Sequence, residues 1–106
     1  DMSRPAPIHP GELLKAEFLD PMGITPYALS KNTGIDKGNL SRLLHGKSSI
    51  SADVALRLAR FFDTSPDSWM NLQSRYDLEV AKDRGLRSIE KEVRSYRDVV
   101  AEVGSA

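Results

Sequence analysis

Between residues 25 and 46 the chain reads TPYALSKNTGIDKGNLSRLLHG, whose caps and glycines predict two short helices joined by a tight turn. Thr25 offers a hydroxyl to the free N–H groups of a first turn, and Pro26 loses nothing at the first helical position because its missing donor has no partner there. Ala28, Leu29 and Asn32 continue this helix to about Thr33, and Gly34 supplies the positive φ that commonly ends one. Ile35 returns the chain to the core. Asp36 then caps a second helix carrying Leu40, Leu43 and Leu44 at spacings of three and four, and Gly46 ends it as Gly34 ended the first. Ser30 falls four residues before Gly34, where a larger side chain would hold the two helices apart. Two capped helices around a glycine turn are the sequence form of a helix-turn-helix, which presents its second helix to a DNA groove. The same pattern also occurs in all-α domains that touch no nucleic acid.

Charge separates these readings. The 106 residues carry 15 basic and 15 acidic side chains, so no global field drives the chain toward a polyanion. Residues 31 to 60, however, hold Lys31, Lys37, Arg42, Lys47, Arg57 and Arg60 against only Asp36 and Asp53, an excess of four positive charges. Phosphate neutralisation by Lys and Arg supplies most non-specific affinity for DNA, and this is where a helix-turn-helix needs it.

Leu40, Leu43 and Leu44 mark the buried side of the second helix, which leaves Lys37, Gly38, Ser41, Arg42 and His45 opposite, with Asn39 on one flank. This face is polar and almost free of acid. Arg42 suits guanine O6 and N7, Asn39 suits adenine, and the missing side chain of Gly38 lets the helix approach the bases. Lys47 and Ser49, just past the helix, suit phosphates. An ordinary solvated helix face is the alternative for any one of these residues; the set points to a groove.

The rest of the chain completes an all-α bundle of five helices. Pro10, Leu13, Leu14, Phe18 and Leu19 give a first helix, opened by HPGE and expected to close before Pro21 and Gly23. Ser51 caps a fourth, with Asp53 favourable to the dipole and Val54, Ala55, Leu58, Ala59 and Phe62 inward. Ser65, Pro66 and Asp67 open a fifth, where Trp69, Leu72 and Tyr76 at helical spacing are expected in the core. Strand signals are absent. The expected organisation is a flexible arm over residues 1–8, a helix-turn-helix domain over 9–84 and a C-terminal helical tail over 85–106. Asp1 ahead of Met2 reads as a remnant of cloning, with the natural chain starting at Met2.

Other function classes find little to hold. No apolar run approaches the ~20 residues of a membrane span and no leader pattern is present, so no membrane partner and a cytoplasmic protein are expected. Without cysteine there is no disulfide or thiolate metal site, and neither a metal nor a cofactor is expected. His9 sits in a helix-opening turn and His45 beside a terminating glycine, where a cation meets exposed carbonyls. Asp63 and Asp67 flank a helix start and have no partner histidine. No phosphate-cradling glycine loop appears, and the chain is not expected to be an enzyme.

The runs HPGE at 9–12, HGK at 45–47, ISADVALRLARFF at 50–62 and W-x-NLQ-x-x-YDLE at 69–79 resemble the HigA-type antitoxins, a branch of the phage-repressor-like (XRE) helix-turn-helix proteins. The resemblance implies a five-helix phage-repressor-like bundle with a C-terminal helical extension. It also implies a transcriptional repressor that binds double-stranded operator DNA of its own toxin–antitoxin operon as a homodimer and neutralises a cognate HigB-type toxin that cleaves mRNA. Carried over residue by residue, it puts Lys37, Gly38, Asn39, Ser41 and Arg42 on the groove face and Thr25, Tyr27, His45 and Lys47 near phosphates. One position departs: many phage-repressor-like domains start this helix with a glutamine that touches phosphate, and here Pro26 stands in its place. Either the contact is lost or Thr25 and the backbone at Tyr27 replace it. A stand-alone XRE-type regulator, and a toxin-binding module with weak DNA binding, are the alternative readings.

Past the YDLEVAK run, after which typical relatives soon end, Leu86, Ile89, Val93, Tyr96, Val100 and Val103 alternate spacings of three and four. Such a narrow stripe predicts a heptad seam on one helix, supported by Asp83–Arg87, Glu90–Arg94 and Arg94–Asp98 at four-residue spacing. The seam is expected to meet a second copy or a toxin; folding back over its own bundle, with Gly85 as the bend, is the alternative.

Overall fold

In the computed structural model, which describes residues 6–105, every regular element is helical. α1 (Pro10–Leu14) passes through a π-helical segment (Lys15–Leu19) into α2 (Asp20–Met22). α3 (Pro26–Thr33), α4 (Lys37–Leu44), α5 (Ala52–Phe62), α6 (Pro66–Glu92) and α7 (Tyr96–Ser105) follow. Of the arm expected over residues 1–8, positions 1–5 lie outside the described residues.

The four expected side-chain caps form. Thr25 Oγ1 accepts from the Ala28 N–H at 3.1 Å, Asp36 Oδ2 from Asn39 at 3.1 Å, Ser51 Oγ from Val54 at 3.2 Å and Ser65 Oγ from Asp67 at 3.1 Å. Caps of this kind contribute ~1 kcal/mol each to helix stability. The first helix corrects the sequence reading: it does not close before Pro21 but runs to Met22 and ends at Gly23, whose φ is 66°. A proline inside a helix has no N–H and its ring crowds the carbonyl four residues back. Here the coil has already widened into the π segment, where the Asp20 N–H donates to the Lys15 carbonyl five residues earlier, so Pro21 is accommodated.

Leu14, Leu19, Leu29, Leu40, Leu43, Ala55, Leu58 and Trp69 form the core. The Phe18 ring lies tilted at 4.9 Å from Phe62 and 5.1 Å from Trp69, joining the first helix to α5 and α6 beside the aliphatic core. Trp69 is core, as its spacing predicted, and its indole N–H donates to Thr64 Oγ1 at 2.8 Å. Two family-like motifs also turn out to be joints of the scaffold. His9 is buried, caps α1 by accepting the Gly11 N–H on Nδ1 at 2.9 Å, and meets Tyr76 edge-on at 4.9 Å. Gln73 of the NLQ run is buried too; its Oε1 accepts the Ile50 N–H at 2.8 Å and its amide donates to Asp77 at 2.9 Å. A Cβ on Gly46 would lie 3.6 Å from the His9 ring, so His9 packs at the start of the α4–α5 connection and Gln73 bonds its end at Ile50.

The tail departs from the expected seam. α6 kinks at Gly85 (φ −161°, ψ 20°), ends at Glu92, and hands over to an extended Val93 (φ −100°, ψ 120°). The stripe is therefore split, with Leu86 and Ile89 on α6 and Tyr96, Val100 and Val103 on α7. Local polar contacts stabilise the break: Ser95 Oγ accepts the Asp98 N–H at 3.1 Å, and Arg94 pairs across the break with Glu102 rather than along a helix with Glu90 or Asp98. Nor does the tail fold back over the bundle. Exposure runs from 41% at Leu86 to 84% at Tyr96, so the stripe meets none of the core.

Candidate nucleic-acid interface

The α3–α4 unit is set by its turn. Gly34 adopts φ 75° and its N–H closes α3 on the Ser30 carbonyl at 2.9 Å. Ser30 is buried, as its small size required, and its hydroxyl donates to the Ile35 carbonyl at 2.6 Å, so the residue is needed for its oxygen as well as its size. Thr33 Oγ1 bridges the same turn, donating to the Leu29 carbonyl and accepting from the Ile35 N–H at 3.2 Å. α4 leaves this turn with Leu40, Leu43 and Leu44 buried and Lys37, Gly38, Asn39, Ser41, Arg42 and His45 exposed, a division by face that follows the helical period.

The exposed side chains are organised among themselves. The Arg42 guanidinium donates to Asn39 Oδ1 one turn earlier, which links the two side chains. A Cβ on Gly38 would lie 3.1 Å from the Asp36 carboxylate and 3.4 Å from Arg42 Nη1; the glycine makes room for both the helix cap and the arginine. Lys37 Nζ stands 4.7 Å above the Tyr27 ring, a cation–π contact that fastens the start of α4 to α3. His45 Nδ1 lies 2.7 Å from the Ser41 carbonyl, and the Lys47 N–H donates to the Arg42 carbonyl at 2.8 Å, closing the helix end. Thr25, Tyr27 and Lys47 are exposed around the rim.

All nine residues singled out in the sequence thus lie exposed on or beside α3 and α4. Arg57, counted in the basic excess, is engaged elsewhere: Nε bonds Asp53 and Nη1 bonds the Thr33 carbonyl, each at 2.9 Å. The four-residue step from Asp53 is readable in the chain, whereas the carbonyl partner, 24 residues away, is not. Among the described residues no helix is long and apolar enough to cross a membrane.

Residues 16–70 match the family described as the Cro/C1-type HTH DNA-binding domain. The antitoxin HigA-1 of Vibrio cholerae is 40% identical over 78 residues, spanning 74% of this chain and 73% of its own. The chain belongs to the HigA antitoxin family. Two solved HigA structures show that the fold follows the sequence. Pseudomonas aeruginosa antitoxin HigA, solved with the higBA promoter, is 42% identical with a TM-score of 0.81, covering 85% of this chain and 98% of its own. An addiction module antidote protein of the HigA family from Coxiella burnetii is also 42% identical, with a TM-score of 0.82 and coverages of 87% and 100%. In HigA terms, the HPGE and NLQ motifs that carried the resemblance belong to the scaffold of this chain, and the outward face of α4 is set by its cap and turn.

Proposed function

We propose that this protein is an antitoxin that binds the operator of its own operon as a homodimer and neutralises a cognate mRNA-cleaving toxin in the cytoplasm. The observation that carries the DNA reading is the outward face of α4, where Lys37, Asn39, Ser41, Arg42 and His45 stand exposed opposite three buried leucines. The Pseudomonas relative, solved with the higBA promoter, supports the same reading. Arg42, presented by Asn39, forks onto guanine O6 and N7; Gly38 brings the helix start close to the bases, with Lys37 and Ser41 on the same groove face; Thr25, Tyr27, His45 and Lys47 hold phosphates. Because Pro26 has no side-chain donor, the Thr25 hydroxyl and the Tyr27 backbone take the rim contact. Two copies place their recognition helices about one helical turn, ~34 Å, apart on a palindrome. The helix-turn-helix unit, residues 9–84, carries the DNA contacts, and the tail from 85 onward carries protein contacts.

The test is an anisotropy titration of a duplex from the region upstream of the gene, across a salt series. Specific binding tighter than to a scrambled duplex by a factor of at least ~10³ is expected for an operator reader. Co-expression with the product of the adjacent small open reading frame checks the other half: a stable complex and relief of growth arrest are expected, and a protein that never co-purifies with that product would be a regulator alone.

A further inference from the structure

Arg57 sits in the basic stretch of the helix-turn-helix, yet its guanidinium is tied at the surface to two partners of its own chain. Nε donates to Asp53 Oδ2 one turn earlier on α5, and Nη1 donates to the Thr33 carbonyl. Thr33 is the last residue of α3, where the helix itself supplies no donor for the carbonyl. The next residue, Gly34, starts the turn into α4 in the left-handed region, and a Cβ there would lie 2.7 Å from Arg57 Nη1. Gly34 therefore does two things: it turns the chain, and it leaves the guanidinium its place.

We propose that Arg57 is a positioning residue for DNA recognition, locking the α3–α4 turn to α5 and so setting the stance of α4 in the groove without itself touching DNA. The proposal rests on the DNA-binding role above. Only Gly34, Ile35 and Asp36 separate Thr33 from the first residue of α4, so a shift at the Thr33 carbonyl is passed directly to the Asp36 cap. Base readout tolerates little of this, since a recognition constellation must be held to within ~0.5 Å. The arrangement also explains an acid in a basic surface. Asp53 weakens any attraction to phosphate, but it orients Arg57 through a 2.9 Å bond.

Three variants decide the matter: Arg57→Ala, Arg57→Lys and Asp53→Asn. Each is titrated against the upstream duplex and a scrambled one over a salt series. The preference for operator over scrambled duplex is expected to fall ~3- to 30-fold in all three, the range for residues that act on a site without contacting its ligand. The salt slope on scrambled DNA is expected to stay unchanged in Arg57→Ala. Lys keeps the charge but replaces the rigid fork of two separate nitrogens by one flexible ammonium, which does not hold the two partners in the same geometry, and Asp53→Asn removes an acid, which by charge alone would tighten binding to every duplex. A full operator preference in Arg57→Lys, or tighter operator binding with preference intact in Asp53→Asn, would overturn the proposal and mark Arg57 as a phosphate contact. Amide exchange gives a readout independent of DNA: protection of Gly34 is expected to drop in Arg57→Ala while that of Leu58 holds, and equal losses at both would reduce Arg57 to a general stabiliser. Failure of the wild-type protein to prefer the upstream duplex would sink the DNA-binding reading, while exchange at Gly34 would still judge the clamp.

Discussion

The carbonyl oxygen of Leu43 fills the space that a side chain on Gly11 would need: a Cβ there would lie 1.7 Å from it. The start of α1 thus presses directly against the last turn of α4, backbone to backbone. Gly11→Ala forces these helices apart and is expected to destabilise the fold by at least ~1 to 3 kcal/mol, the cost of overpacking. Thermal denaturation should show a drop of several degrees, and an unchanged melting temperature would mean that the contact yields freely.

Arg42 and Asn39 are hydrogen-bonded, so their contributions to operator binding should not add. Arg42→Ala is expected to weaken operator binding by ~1 to 3 kcal/mol and to relax base choice at one position. Adding Asn39→Ala to it should cost much less than Asn39→Ala costs in the wild type. A double-mutant cycle on the operator duplex measures the coupling, and strict additivity would separate the two residues.

Lys47 stands past the end of α4 and is exposed, where a cation serves phosphate rather than base. Lys47→Ala should weaken operator and scrambled duplexes alike and lower the salt slope by about one. Titrations at several salt concentrations distinguish this from Arg42→Ala, whose effect concentrates on the operator.

Gln73 is buried and satisfies the Ile50 N–H from across the α5–α6 corner. Gln73→Leu keeps the bulk and strands that donor, and is expected to cost ~1 to 3 kcal/mol in urea unfolding. Gln73→Glu keeps an acceptor for Ile50 but loses the donation to Asp77 and buries a second carboxylate against it, so at neutral pH it should cost at least as much; a Gln73→Leu variant as stable as the wild type would mean that the hydrogen bond contributes nothing.

Removing residues 86–106 should leave the melting temperature of the bundle nearly unchanged. The last buried side chain of the chain among the described residues is Gln73, and the tail's apolar residues are all exposed. Calorimetry of the truncated protein checks this, and a marked loss of stability would mean that the tail protects the bundle through self-association.

Cap chemistry is local, and for that reason the sequence by itself determined where α3, α4, α5 and α6 begin and where the turn at Gly34 falls: each depends on a side chain and an N–H two or three residues away. The helical period likewise determined which side of α4 is buried and that Lys37, Gly38, Ser41, Arg42 and His45 lie opposite, whereas Thr25 and Tyr27 were named by the family resemblance and not by spacing. Three things were decided only by tertiary structure. Pro21 reads as a terminator until a π segment ahead of it relieves the clash, an adjustment no residue type announces. The stripe from Leu86 to Val103 has the spacing of one helix, but spacing cannot supply the partner that would hold it straight, and the local contacts of Ser95 and Arg94 break it. Gly11 against Leu43, Gln73 against Ile50 and Arg57 against Thr33 join residues 32, 23 and 24 positions apart, and a backbone carbonyl or N–H as a partner leaves no mark on the sequence. Those long contacts hold the recognition helix in place, whereas the residues it presents could be named from the chain alone.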